Sequence, residues 1–230
     1  MRDPDGMGRA DHRAGRGDDD PNGIRRSLLR DAVFARLLDN VLRGVYRRGQ
    51  RIRLDAIAED MRVSRTPVRE ALMPLENLRL VSVQRYVGVV VAHWTVDHMT
   101  ERIRIARTMI TEPSSGPTGC ADRFDVAWVR ECQTEGGVFV ELGSWWLRRN
   151  GAAVSADWLL SQHAVLDAFF SDEVALANGI DAVVARRERR SIAERATIAA
   201  ERDALDECAA ALVELADALI ALPDRFRTAA

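Results

Sequence analysis

Val63-Ser64-Arg65-Thr66-Pro67-Val68-Arg69-Glu70-Ala71-Leu72 is the stretch on which the fold turns. Ser64 is a good helix N-cap, and Pro67 falls in the first turn, where a missing N–H costs nothing. Val68, Leu72 and Leu75 then share one face, while Arg65, Thr66, Arg69 and Met73 project from the other. Just upstream, Leu54, Ile57, Ala58 and Met61 form another apolar stripe, and only Arg62-Val63-Ser64 separates the two. Helices joined by so short a turn must cross at a large angle, which predicts a helix-turn-helix.

Working outward, Leu29, Val33, Leu37 and Val41, with Phe34, Leu38 and Leu42 alongside, predict an earlier amphipathic helix ending at Gly44. After the central pair come Leu80-Val81-Ser82-Val83 and Val89-Val90-Val91-Ala92, two β-branched runs flanking Gln84-Arg85-Tyr86-Val87-Gly88. They predict a hairpin with a basic, glycine-containing tip. Three helices followed by a hairpin make a winged helix-turn-helix over residues 24–94. Residues 1–23 are Asp, Arg, Gly and Pro with almost nothing apolar, the composition of a disordered tail.

Charge is distributed along the same division. The chain has 230 residues and a formal net charge of −2, with arginine as its only strong base. Residues 24–93 nevertheless carry 14 Arg against 7 Asp plus Glu. A basic module joined to an acidic one is a signature of nucleic-acid or membrane contact by one half. No apolar run approaches the ~18 residues of a membrane span, and residues 1–20 lack the apolar core of a secretory signal. Cys120, Cys132 and Cys208 have no short paired spacing, so neither a disulfide framework nor a zinc cluster is indicated. These features point to a cytoplasmic protein with no membrane contact.

A helix fits the major groove of B-DNA and meets base edges with its N-terminal residues. Arg65 and Arg69 lie one helical turn apart, and each guanidinium can grip guanine N7 and O6 or two phosphate oxygens. Thr66 offers a hydroxyl and a methyl. Arg85 and Gly88 at the wing tip, with Arg47, Arg48, Arg51 and Arg53 before the second helix, would follow the sugar-phosphate backbone.

The run from Val63 to Leu72, with Leu42-Arg43-Gly44 and Ile57-Ala58-Glu59 before it and Leu75-Glu76 and Leu80-Val81 after it, closely resembles the GntR family of bacterial transcription regulators. The resemblance covers about residues 28–93. It implies a homodimer on an inverted-repeat double-stranded DNA operator, more often a repressor, with an effector-responsive C-terminal domain. It also implies DNA contact by Arg65, Thr66 and Arg69; Ser64, Arg85, Gly88 and Arg53 complete the expected DNA-binding set. Three departures stand out. Pro74 falls inside the third helix, where a proline costs about 3 kcal/mol, so a kink or early end is expected near Met73. Arg79 stands where the family usually ends this helix with glycine, and Arg48-Gly49 lacks the family's usual proline.

Beyond Trp94 the apolar spacing is helical throughout, which makes the chain mainly α: a winged helix-turn-helix plus an all-helical bundle over residues 95–222. Helices are expected over Met99–Ile110, Phe124–Cys132, Val138–Leu147, Trp158–Phe170 and Val174–Arg186. A long one covers Ile192–Leu222, stopped by Pro223, with residues 223–230 as a second tail. An all-helical second half resembles the FadR subfamily, whose C-terminal domain is known as FCD. Many FCD domains hold a divalent metal through an aspartate and three histidines. This chain has His12, His93, His98 and His163, of which only His163 falls in the bundle. Three imidazoles cannot be assembled there, so the metal site is lost unless carboxylates substitute, and no resident cofactor is expected. His163 reads as pocket lining or a core histidine. Arg107 aligns with an FCD pocket arginine that could pair with a carboxylate effector, and it equally fits an exposed helix face. Under a second reading the helical domain only dimerises and binds no effector. No nucleophile elbow or phosphate-binding loop is present, which argues against an enzyme.

Overall fold

The computed structural model describes the backbone of residues 21–84, 88–112 and 123–227, with side chains described from residue 27 to 223. Elements α1 (Pro21–Leu42), β1 (Arg51–Ile52), α2 (Leu54–Asp60), α3 (Arg65–Asn77), β2 (Val81–Gln84) and β3 (Gly88–Val91) come first. They form the expected winged helix-turn-helix. The α1 stripe Val33, Leu37, Val41 and Leu42 is buried and packs on α3, whose Val68, Ala71, Leu72 and Leu75 are buried in turn. β2 and β3 pair antiparallel with Val81 opposite Val91 and Val83 opposite Val89. β1 adds itself to the free edge of β3, Ile52 opposite Val89. Two residues have no readable periodicity, so this strand exists only because β3 offers an edge.

Pro74 does not end α3. The helix continues to Asn77, and the Leu78 N–H bonds the Pro74 carbonyl at 3.0 Å. Leu72, Leu75 and Leu78 are all buried on one side, and this packing outweighs one missing hydrogen bond. The helix then closes in a Schellman motif: Leu80 N–H reaches Leu75 O (3.0 Å) and Arg79 N–H reaches Glu76 O (2.9 Å). Arg79 sits there at φ +59°, a left-handed conformation costly for a side chain with a Cβ. Arg79→Gly is therefore expected to stabilise the protein by about 1 kcal/mol, a rise of about 2–4 °C in melting temperature. A thermal melt showing an unchanged or lower midpoint would contradict it.

The remainder is helical: α4 (Val96–Thr111), α5 (Ala127–Arg130), α6 (Glu135–Arg149), α7 (Ala153–Leu160), α8 (His163–Phe169), α9 (Asp172–Ala177), α10 (Arg186–Glu201) and α11 (Leu205–Arg227). The core packs Met99 and Ile103 of α4, Phe139 and Leu142 of α6, Phe169 of α8 and Leu212 and Leu219 of α11. Thr95 and His98 cap α4 reciprocally: Thr95 Oγ1 accepts from His98 N–H, and His98 Nδ1 accepts from Thr95 N–H.

Several expected boundaries are corrected. The helix expected over Ile192–Leu222 is two, α10 and α11. Asp203 at φ +56° turns the chain, with Ala204 N–H on Ala199 O (2.9 Å) and Asp203 N–H on Ala200 O (3.1 Å). Nothing there is glycine or proline; the break follows from α11 folding back on α10. Trp158–Phe170 divides into α7 and α8. Val174–Arg186 shrinks to the six residues of α9, and Phe124–Cys132 to the four of α5. Pro223 lies buried inside α11, which runs on to Arg227 instead of yielding a tail from 223. Likewise α1 begins at Pro21, inside the expected N-terminal tail, whose residues 1–20 lie outside the described residues, as do Cys120 and residues 228–230. Among the described residues, no helix is long and apolar enough to cross a membrane.

Candidate nucleic-acid interface

The start of α3 presents the expected reading face. Ser64 is its N-cap residue, and Ser64, Arg65, Thr66 and Arg69 are all exposed, while Pro67 and Val68 between them are buried. This follows from helical spacing: the buried set anchors α3 on α1 and α2, and the polar set must face outward. Arg53, immediately before α2, is exposed as well. Arg85 lies outside the described residues. Gly88 has φ +102°, and a Cβ there would come within 3.1 Å of the Ile52 carbonyl, so β1 itself requires a glycine at the base of the wing.

The arginines of this face are not equivalent. Arg69 has no hydrogen bond or ion pair within the described residues. Arg65 Nε lies 2.5 Å from Asp55 Oδ1 in the first turn of α2, and Arg53 Nη2 is 4.0 Å from Asp55 Oδ2. Sequence reading missed Asp55 because ten residues and a turn separate it from Arg65. Arg48 departs from the expected phosphate-facing role: its guanidinium stacks 4.2 Å from the Trp94 ring centroid and donates to Asn178 Oδ1 at 3.1 Å.

Asn178 also donates to the Leu42 carbonyl (2.9 Å), and Arg43 pairs with Glu173 of α9 (3.2 Å), so the end of α1 is clamped to the helical half. Arg102 of α4 makes a second link. Its Nη2 donates to Leu78 O at the end of α3 (2.6 Å), and its Nη1 to Gln162 Oε1, one residue before His163. Burial pushes the Arg102 guanidinium below its ordinary pKa.

In the bundle, His163 Nε2 lies 3.4 Å from Glu141 Oε1 and 3.6 Å from Cys132 Sγ. Burial raises the Glu141 carboxyl, against the opposing effects of His163 and Arg148, and pushes the Cys132 thiol up to about 12. A thiol so protonated is a poor nucleophile. The resemblance to metal-binding FCD domains does not extend to the donor set. Asp167, near His163, already accepts from Gln133 N–H (3.0 Å), Thr134 N–H (2.8 Å) and the Thr134 hydroxyl (3.0 Å). His98 spends Nδ1 on its helix cap, and His93 packs against Gly49. Among the described residues, His93, His98 and His163 with Asp167 do not fit a three-histidine metal centre.

Arg107 forms a two-point ion pair with Asp217 of α11, Nε to Oδ1 at 2.7 Å and Nη2 to Oδ2 at 3.1 Å. His163 borders a cleft of about 360 Å³ together with Phe34, Pro74, Asn77 and Leu78, and Arg107 is not among its lining residues. A larger cleft of about 520 Å³ is lined by Cys132, Gln133, Thr134, Glu135, Arg190, Glu194 and Thr197, among others. Sequence reading had no signal for it, since α6 and α10 contribute its walls from far apart in the chain.

Comparison with known proteins agrees with the N-terminal geometry. Over 72 residues the chain is 35% identical to uncharacterised HTH-type transcriptional regulators of two strains of Mycobacterium tuberculosis, a match covering 31% of this chain and 30% of each relative. The chain thus matches less than a third of the length of these curated relatives. It also aligns with the Escherichia coli structure McbR/YncC at 16% identity and a TM-score of 0.46, over 86% of this chain and 97% of that one. A GntR transcriptional regulator structure from Rhodococcus sp. RHA1 aligns at 19% identity and a TM-score of 0.43, over 90% and 99%. The family described as bacterial regulatory proteins, gntR family, matches residues 29–91. Those residues run from the apolar stripe of α1 to the last residue of β3, so the likeness to gntR-family regulators falls on the winged helix-turn-helix.

Proposed function

We propose that the whole chain is a cytoplasmic, homodimeric, ligand-responsive transcription repressor of the FadR type, with an FCD-like helical half, acting on an inverted-repeat operator. The observation that carries this reading is the exposed set Arg65, Thr66 and Arg69 at the start of the second helix of the helix-turn-helix. Each protomer inserts that end of α3 into a major groove, with half-sites about one helical turn apart. A small molecule, of which a carboxylate is the expected class, binds in the helical half; His163, Arg107 and the cleft beside Arg190 are the candidate contacts. Arg102 supports coupling, because it joins Leu78 at the end of α3 to Gln162 in the bundle. A ligand that binds one placement of Gln162 better than another would shift α3 by that difference in affinity.

The test is selection of binding sites from randomised duplex DNA by the full-length protein, followed by affinity measurement at several salt concentrations. An enriched inverted repeat and a logarithmic affinity that falls linearly with log salt are expected. No enrichment, or a flat salt response, would overturn the reading. For the effector, a thermal-shift panel of small mono- and dicarboxylates should raise the melting temperature with at least one member. A panel without effect would favour a helical half that only dimerises.

A further inference from the structure

We infer that Asp55 is a specificity-determining residue: it turns Arg65 into a reader of guanine and leaves Arg69 to the phosphates. The inference rests on the DNA-binding reading above and deepens it.

A guanidinium on an exposed helix start has two partners available in the major groove, a phosphate or the N7 and O6 acceptors of guanine. Which it takes depends on what holds it. Asp55 Oδ1 engages Arg65 at Nε, 2.5 Å away, which fixes the plane of the guanidinium and leaves the Nη1 and Nη2 edge as its outward fork. That edge carries two parallel donors at the spacing of the two guanine acceptors. The carboxylate also places a negative charge beside the arginine, and this repels a phosphate while leaving an uncharged base edge attractive. Arg69, one turn further along α3, has no such partner among the described residues and keeps full freedom to follow the backbone. Asp55 is half exposed, its side chain at 46% accessibility, so the pair contributes little to stability and its effect lies in orientation.

The alternative is that Asp55 only adds favourable negative charge to the first turn of α2. Base preference distinguishes the two. Site selection from randomised duplexes is run in parallel on the full-length protein, Asp55→Ala and Asp55→Asn, with affinity for an unrelated duplex measured alongside. The unaltered protein should enrich guanine at one position per half-site. In Asp55→Ala that preference should fall about tenfold while affinity for the unrelated duplex holds or tightens. Asp55→Asn, which keeps an acceptor oxygen, should retain part of the preference. If Asp55→Ala selects the same base with the same strength, or tightens all duplexes by one common factor, the inference is overturned. Enrichment of some sequence without guanine overturns it too while leaving DNA recognition standing; no enrichment by any of the three proteins overturns both.

Discussion

Gly137→Ala is expected to lower the stability of this protein by about 3 kcal/mol, a fall of about 6–12 °C in melting temperature for a chain of this size. Gly137 lies in the first turn of α6, and a Cβ there would collide with Asp167 Oδ1 and sit 2.7 Å from its Cγ. A flexible side chain could yield at little cost, but Asp167 cannot. Its carboxylate is held by the N–H groups of Gln133 and Thr134 and by the Thr134 hydroxyl, and Thr134 in turn caps α6 through Gly136 and Gly137 N–H. Displacing it leaves buried donors without an acceptor, at roughly 1–3 kcal/mol each. Alanine's better helix propensity offsets only about 1 kcal/mol of this. The measurement is thermal denaturation of Gly137→Ala, Asp167→Ala and the double variant. If the collision is the cause, the double variant loses less than the sum of the two singles. Additive losses, or an unchanged midpoint in Gly137→Ala, would show that the α6 start has room.

Arg69→Ala is expected to weaken DNA binding about ten- to a hundredfold without moving the melting temperature. The side chain is exposed and makes no hydrogen bond or ion pair among the described residues, so its removal costs the fold nothing. On DNA it supplies one cation per protomer. Under the proposed dimeric reading, removing one phosphate-binding cation from each subunit should weaken all duplexes alike and reduce the slope of log affinity against log salt by about 1 per phosphate released. The measurement is fluorescence anisotropy on a selected and an unrelated duplex from low to physiological salt. An affinity within twofold of the unaltered protein at every salt concentration would remove Arg69 from the interface.

Much of the N-terminal half was legible because its signals are local. The apolar stripe of α1, the two helices flanking Arg62-Val63-Ser64 and the β-branched runs of the wing each depend on spacing within about a dozen residues, and each forms where expected. The exposure of Arg65, Thr66 and Arg69 follows from the same spacing. The helical half was legible in class but not in its divisions. Its residues are helix formers almost without interruption, so the turns at Ser161-Gln162 and Arg202–Ala204 left no glycine or proline to announce them. Proline misled in the other direction: Pro74 and Pro223 both read as terminators and both lie within helices, Pro74 between the buried Leu72 and Leu75 and Pro223 itself buried next to the buried Leu222.

What the sequence by itself determined is therefore the helices and hairpin of the N-terminal half, the helical class of the rest, and the exposed polar face at the start of α3, since these depend on period, capping and charge along a short length of chain. Only the tertiary structure decided which side chains touch across elements. It gave β1 an edge to pair with, placed Asp55 on Arg65, turned Arg48 onto Trp94 and locked Asp167 under the start of α6. It also joined α3 to the bundle through Arg102. Such contacts depend on where folded elements come to rest in space, and no periodicity within one element carries that information.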